Sequence, residues 1–206
     1  MKIIATVCLV CLIHAGSAAE GSVGPKPGGA RRRAPMSQAE KAARYDGLIL
    51  KNAQDHRLNP RLVKSIIAAE SGFYYGAVSP KGARGLMQVM PSTAEGLGVP
   101  RAKLHDPDSN LRAGTAYLDV LCGRARIIYA LKAKGCSDAP LWVQQRIVAA
   151  YNAGPRMFHR RPRRWPLATR HYVRDVFAYY RSPATMLRAP VMRTNPESEP
   201  YLLAKR

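Results

Sequence analysis

The stretch Asn59-Pro60-Arg61-Leu62-Val63-Lys64-Ser65-Ile66-Ile67-Ala68-Ala69-Glu70-Ser71-Gly72 constrains the fold more than any other part of the chain. Leu62, Val63, Ile66 and Ile67 recur at three- and four-residue spacing, which on a helix makes one apolar stripe that other elements must cover. Asn59 offers a side-chain acceptor to the first orphan N–H groups, Pro60 has a φ suited to the first helical position, and Gly72 supplies the stop. Glu70, three and four residues beyond Ile67 and Ile66, falls on the stripe. Burial disfavours a charged carboxylate, and the negative end of the helix opposes ionisation as well. A Glu kept protonated near neutral pH can give a proton to a leaving oxygen and later take one back. Taken alone, Glu70 reads more simply as a helix-end carboxylate paired with one of the many Lys and Arg residues.

The following loop shifts that balance. It holds no other acid before Glu95; Gly82 and Gly85 permit tight turns, and Ser79 and Gln88 bring neutral hydrogen-bonding groups suited to a polar, uncharged ligand such as a sugar. Elsewhere the pattern is helical. Ser37-Gln38-Ala39-Glu40 has the spacing of a capping box and predicts a helix running to about Asp55. Pro91-Ser92-Thr93-Ala94 opens a short helix stopped by Gly96 and Gly98, and Asp108 is expected to cap a longer one with a stripe of Leu111, Thr115, Leu118, Leu121 and Cys122. Gly123 is expected to break or bend it before a helical continuation from Arg124 to Lys134. A helix from about Ala139 to Ala153 ends at Gly154-Pro155, and Thr169 opens a last one carrying Tyr172, Val173, Val176 and Tyr180. With no sustained strand alternation, the expected fold class is all-α: a compact bundle of about six helices with little or no sheet.

The flanks differ in kind. Met1-Lys2, the apolar run Ile3 to Ile13 and the small residues Ala15-Gly16-Ser17-Ala18-Ala19 make the three-part pattern of a secretory signal peptide over residues 1–19. The apolar run is too short for a bilayer span of roughly 20 residues, and neither Cys8 nor Cys11 follows the small residue expected before a lipidated cysteine. The expectation is a periplasmic protein with no stable membrane anchor once the peptide is removed. Residues 20–36 read as a flexible basic arm containing Arg31-Arg32-Arg33, residues 37–181 as the folded domain, and residues 182–206 as a Pro-rich unstructured tail. Removal of 1–19 leaves Cys122 and Cys136 as the only thiols in an oxidising compartment; they are either bridged or two small core residues, and the compartment favours the disulfide. The 33 Lys plus Arg against 13 Asp plus Glu give a formal net charge of +20, which points to a polyanionic partner, while the export signal argues against nucleic acid. His56, His105, His159 and His171 are scattered without metal-ligand spacing, so no metal and no cofactor are implied.

Four segments, in order, carry a resemblance: Glu70-Ser71-Gly72-Phe73; Gly85-Leu86-Met87-Gln88 with Met90-Pro91; Asn110 with Gly114 and Tyr117-Leu118; and Ala150-Tyr151-Asn152-Ala153-Gly154-Pro155. Over roughly Leu58 to Tyr180 the chain resembles the soluble lytic transglycosylase family. The resemblance implies a lysozyme-like fold and cleavage of the bond between N-acetylmuramic acid and N-acetylglucosamine in peptidoglycan, without water, to a 1,6-anhydromuramic end. It further implies that Glu70 protonates the glycosidic oxygen and then deprotonates the muramoyl 6-hydroxyl. The substrate's own N-acetyl group would replace the second carboxylate that most glycosidases use. By the same resemblance Ser79, Gln88 and Met90 line the cleft, Tyr151 and Asn152 orient the acetamido group or Glu70, and Tyr172 closes the wall. Core packing is the rival reading for Met87, Met90 and Tyr172. The expected partners are peptidoglycan glycan strands, and the habits of small family members suggest that the two arms dock to a secretion or pilus assembly of the cell envelope.

Two positions depart from the family pattern. Ala168 stands where a glutamate usually precedes the threonine, here Thr169, which removes a polar contact, and Tyr74-Tyr75 replaces a common Asn-Pro. Two rival functions remain from the sequence: a hydrolytic lysozyme of goose-type resemblance, and a non-catalytic cationic module that binds wall carboxylates.

Overall fold

The computed structural model describes residues 36–132 and 135–183. The expected signal peptide, nearly all of the basic arm and the tail beyond residue 183 lie outside the described residues. Among the described residues seven α-helices follow one another: α1 (Gln38–Ala43), α2 (Asp46–Asp55), α3 (Pro60–Ser71), α4 (Pro91–Gly96), α5 (Pro107–Ile128), α6 (Leu141–Ala153) and α7 (Leu167–Arg181). Short 3-10 turns at Arg101–Lys103, Cys136–Asp138, Pro155–His159 and Pro162–Arg164 join them. The described residues contain no strand, only isolated bridges of Val78 and of Val89 to Arg84, so the all-α expectation holds.

Helix α3 lies at the centre, with α2 and α7 packed on it and α6 joining α5 to α7. Its expected caps form: Asn59 Oδ1 accepts the Arg61 N–H at 2.9 Å, and Gly72 ends the helix at φ 55°. Its burial exceeds what a single stripe requires. Every residue from Leu62 to Ala68 is buried, including Lys64 at 1% exposure and Ser65 at 0%. Ser65 answers that burial by donating to the Arg61 carbonyl at 2.7 Å. Lys64 donates from Nζ to Asp46 Oδ1 at 2.5 Å, across from the first residue of α2.

That pair explains the first departure from expectation. The single helix predicted from Ser37 to Asp55 is two helices, because the chain turns at Arg44-Tyr45, where Tyr45 leaves helical geometry at φ −103°, ψ 3°. The turn buries Tyr45 and starts α2 at Asp46, the counter-ion of Lys64. The capping box at Ser37 and Glu40 forms as predicted.

Three other helix starts also move. Asp106, not Asp108, caps α5 by accepting the Ser109 N–H at 2.9 Å, with Pro107 in the first helical position, a repeat of the Asn59-Pro60 pattern. Asp108 instead accepts from Asn52 Nδ2 at 3.1 Å and pairs with Lys51 at 3.7 Å, tying α5 to α2. Helices α6 and α7 begin directly after Pro140 and Pro166, so α6 starts two residues later and α7 two residues earlier than predicted. Gly123 does not break α5, which runs on to Ile128 and ends at Tyr129, short of the predicted Lys134. A single helical glycine costs about 1 kcal/mol relative to alanine, which the burial of Leu121, Cys122 and Ala125 on both sides of it outweighs. Cys122 and Cys136 are bridged, with Cα atoms 5.6 Å apart, anchoring the segment after α5 to its last turns.

Two stability predictions follow from this architecture. Replacing Lys64 by Met leaves Asp46 buried without its counter-ion, so urea unfolding is expected to show a loss of about 3–5 kcal/mol, much of it recovered when Asp46→Asn is added. Replacing both Cys122 and Cys136 by Ser opens a short loop and is expected to cost about 3 kcal/mol, with dithiothreitol lowering the midpoint of the parent chain and not of the variant.

Candidate active site

Glu70 sits in the last turn of α3, where the helix leaves the core. Gly72 at φ 55° and Phe73 at φ 67° turn the chain sharply, and Phe73 is buried beneath the turn. A positive φ is costly for an aromatic residue and persists only where packing holds it. Ser71 Oγ, one residue beyond Glu70, donates to the Leu86 carbonyl at 2.8 Å and so fastens the next loop to the helix end.

That loop is held from below by one side chain. Asn110, 1% exposed on α5, donates from Nδ2 to the carbonyls of Arg84 (2.8 Å) and Leu104 (2.9 Å) and accepts the Met87 N–H at Oδ1 (2.8 Å). Gly85 is required here, since it takes φ 76° and a Cβ would overlap both the Asn110 amide and the Leu104 carbonyl. Gly114, one turn along α5, makes room for the Met87 side chain in the same way. Met87 is therefore a fully buried core residue, as its rival reading had it, whereas Met90 is 39% exposed at the start of α4.

Burial is the main cause that raises the Glu70 carboxyl from its ordinary value to about 7, and the Tyr172 hydroxyl, facing it, holds the rise back. The residue keeps one face partly open to solvent, so the carboxyl is enclosed yet reachable. Tyr151 and Tyr172 both feel the Glu70 charge, which with burial pushes their hydroxyls well above the usual tyrosine range. Tyr151 Oη donates to the Met87 carbonyl at 2.9 Å, and its ring lies 5.4 Å from that of Tyr117. The Tyr172 hydroxyl is buried and its approach to Glu70 falls short of a hydrogen bond of good geometry. Asn152 Oδ1 accepts from Thr169 Oγ1 at 3.1 Å, joining the end of α6 to the start of α7.

Glu70, Tyr151 and Tyr172 are thus brought together from α3, α6 and α7. The other candidates serve the surrounding frame. Ser79 Oγ accepts the Ala83 N–H at 3.0 Å and closes its own loop, and Gln88, at φ 48°, donates from Nε2 to the Ala77 and Gly85 carbonyls. Ser71, Asn110, Tyr117 and Thr169 have positioning roles that the sequence reading did not assign. Asn110 carried the best available signal: a polar side chain beside the buried run of α5 must find hydrogen-bond partners. Among the described residues no ion pair involves Glu70. Among the described residues no group of three His, Cys, Asp or Glu side chains could hold a metal ion.

The Transglycosylase SLT domain family matches residues 47–165, more than half of the chain. The chain is 38% identical over 123 residues to membrane-bound lytic murein transglycosylase C of Haemophilus ducreyi, covering 55% of this chain and 31% of that protein. It is 44% identical over 63 residues to a transglycosylase of Enterobacteria phage PRD1, covering 31% of this chain and 23% of that protein. The chain therefore spans under a third of the length of either curated relative. Its fold matches the soluble lytic transglycosylase SLT70 of Escherichia coli with a TM-score of 0.51 and 26% identity, over 66% of this chain and 23% of that one. An inactive mutant of lytic transglycosylase Slt from Pseudomonas aeruginosa matches with a TM-score of 0.50 and 28% identity, over 65% and 23%. With the family match reaching from α2 to Trp165, just short of α7, and taking in the Glu70 turn, the Asn110 clamp and the Tyr151 helix end, the chain belongs to the Transglycosylase SLT domain family.

Proposed function

We propose that the chain is a peptidoglycan lytic transglycosylase acting in the periplasm, with Glu70 as general acid and then general base. The observation that carries this reading is an enclosed carboxyl, raised to about 7 and without an ionic partner among the described residues. A group with that value is available in both protonation states near neutral pH, as a residue that first donates and then accepts a proton requires.

Several acids among the described residues are engaged away from Glu70. Glu95 faces Arg101, Asp106 caps α5, Asp108 meets Lys51 and Asn52, Asp119 meets His56, and Asp46 neutralises Lys64. That favours cation stabilisation by the substrate over a two-carboxylate mechanism. In the first step Glu70 gives its proton to the glycosidic oxygen, the C1–O bond breaks and the N-acetylglucosamine hydroxyl leaves, while the muramoyl acetamido oxygen bonds to C1. In the second step the Glu70 carboxylate takes the proton of the muramoyl 6-hydroxyl, O6 bonds to C1 and the acetamido bond opens, leaving the 1,6-anhydro end and restoring Glu70. Tyr151 and Asn152, held through Met87 and Thr169, would orient the acetamido group or Glu70, and Tyr172 faces the carboxyl from α7. Ala168, partly buried beside Thr169, brings no polar group to the site. Among the described residues no helix is long and apolar enough to cross a membrane, and the signal pattern at residues 1–19 supports export.

Digestion of purified sacculi followed by mass analysis is expected to give anhydromuramic ends; hydrated reducing ends would establish the hydrolytic alternative, and binding without cleavage the non-catalytic one. Glu70→Gln is expected to lower kcat by at least about 100-fold while strand binding persists. Because the free protein must carry the Glu70 proton, kcat/KM should be flat below the Glu70 value of about 7 and fall about tenfold per pH unit above it.

The raised value also makes stability depend on pH. The folded value lies above the ordinary 4.5, so ionisation opposes folding increasingly as pH rises from 4.5 to about 7 and uniformly above that. Glu70→Gln is therefore expected to stabilise the fold by about 1–3 kcal/mol at pH 8, with little gain at pH 4.5, as read from urea unfolding at the two pH values.

A further inference from the structure

Helix α6 carries Tyr151 at one end, beside Glu70, and Leu141 and Trp142 at the other, about 14 Å away along its axis. There the two apolar side chains stand in the open, Leu141 56% exposed and Trp142 48%. The indole is held in place by its neighbours. Its ring meets that of Tyr129 edge-on at 5.0 Å, and the Arg146 guanidinium lies over both rings, 5.6 Å from Trp142 and 5.8 Å from Tyr129.

Against this corner the chain after α6 folds back and presents arginines. Tyr129 Oη donates to the Phe158 carbonyl at 2.6 Å, and the Arg160 carbonyl accepts from Arg146 Nη1 at 3.1 Å and from Trp165 Nε1 at 3.2 Å. Three side chains thus pin the backbone of the loop to the aromatic corner, and Arg160, Arg161, Arg163 and Arg164 are all exposed on it. No acid among the described residues forms an ion pair with any of the four. The result is a fixed cluster of cations beside a fixed apolar projection.

Few surfaces match both halves of this corner. A sugar stacks on an indole but offers nothing to Leu141 or to clustered guanidinium groups, and the export pattern argues against nucleic acid. An anionic bilayer has phosphates, which guanidinium groups bind as a fork, directly above the acyl boundary where indoles and aliphatic side chains settle. We propose that the corner formed by Leu141, Trp142 and the loop over residues 160–164 is a docking surface for an anionic phospholipid membrane. Docking there is a reversible surface contact that needs no spanning helix, and it leaves the Glu70 end of α6 clear of the lipid. The inference stands apart from the chemistry of Glu70 and holds whether or not that residue cleaves glycan.

The exported chain, without residues 1–19, is mixed with vesicles of phosphatidylcholine alone or with added phosphatidylglycerol. Bound protein is measured by sedimentation while tryptophan emission is recorded. Trp165, the other of the two tryptophans, is buried, so a blue shift on binding reports Trp142 entering the interface. The expected result is binding to the anionic vesicles only, with the blue shift, weakened by added salt. Arg161→Gln with Arg163→Gln is expected to lower the partition coefficient about tenfold or more. Lys41→Gln with Lys103→Gln, which removes the same charge from α1 and from the turn at Arg101–Lys103, should lower it about twofold or less. Leu141→Gln is expected to lower it about fivefold, and this variant decides if the arginine changes disturb their loop. Binding to neither vesicle, equal binding to both, or equal losses from the two charge variants overturns the proposal. So does binding without a blue shift, which would assign the contact to the basic arm over residues 20–36 instead.

Discussion

A helix enclosed over two full turns has no tolerance for a lone charge, and α3 carries two ionisable side chains within seven residues that are treated in opposite ways. Lys64, in the enclosed part, has a carboxylate built against it, and the chain interrupts its first helix so that Asp46 can stand there. Glu70, at the exit, has burial and a tyrosine but no counter-ion among the described residues. Charge in the first case serves the fold, since a matched buried pair avoids the penalty of an isolated ion. In the second the penalty is left in place and appears as a carboxyl that holds its proton near neutral pH. The same core that requires Asp46 for Lys64 therefore sets the acidity of Glu70.

The second constraint is rigidity around that carboxyl. The loop from Phe73 to Met90 contains almost no regular structure, yet Ser71, Asn110 and Tyr151 each take hold of its Leu86–Met87 backbone from a different helix. Phe73 and Gln88 sit at positive φ on either side of this clamp, conformations that neither residue would keep without it. Gly85 and Gly114 are consequences of the same closeness, since side chains there would collide with Asn110 or Met87. A site built this way approaches its ligand with groups already fixed, which lowers the ordering cost of binding.

Much of this was legible in the chain because local physics dictates it. The Asn59-Pro60 start and Gly72 stop, the capping box at Ser37, the apolar stripes of α3 and α5 and the glycine end of α6 all depend on neighbours within a turn or two, and all form. The misjudged boundaries share one cause. Pro107, Pro140 and Pro166 mark where α5, α6 and α7 begin, whereas the prediction followed an acid, an alanine and a threonine near them. Gly123 was weighed as a breaker by its propensity alone, and the disulfide and buried neighbours on its helix override a cost of about 1 kcal/mol.

The sequence by itself determined that this protein is helical, that one carboxylate stands on an apolar stripe beside an acid-free glycine loop, and which family pattern surrounds it, because periodicity and spacing are properties of the chain. Only the tertiary structure decided that Lys64 is buried and needs Asp46, that Ser79 and Gln88 brace their loop, and that Asn110 and Thr169 hold the site together. It also decided that Tyr151 on α6 and Tyr172 on α7 meet at Glu70 on α3 rather than merely packing in the core. Those are statements about which groups water has left and which groups then face one another, and no run of residues carries that information until the helices have packed.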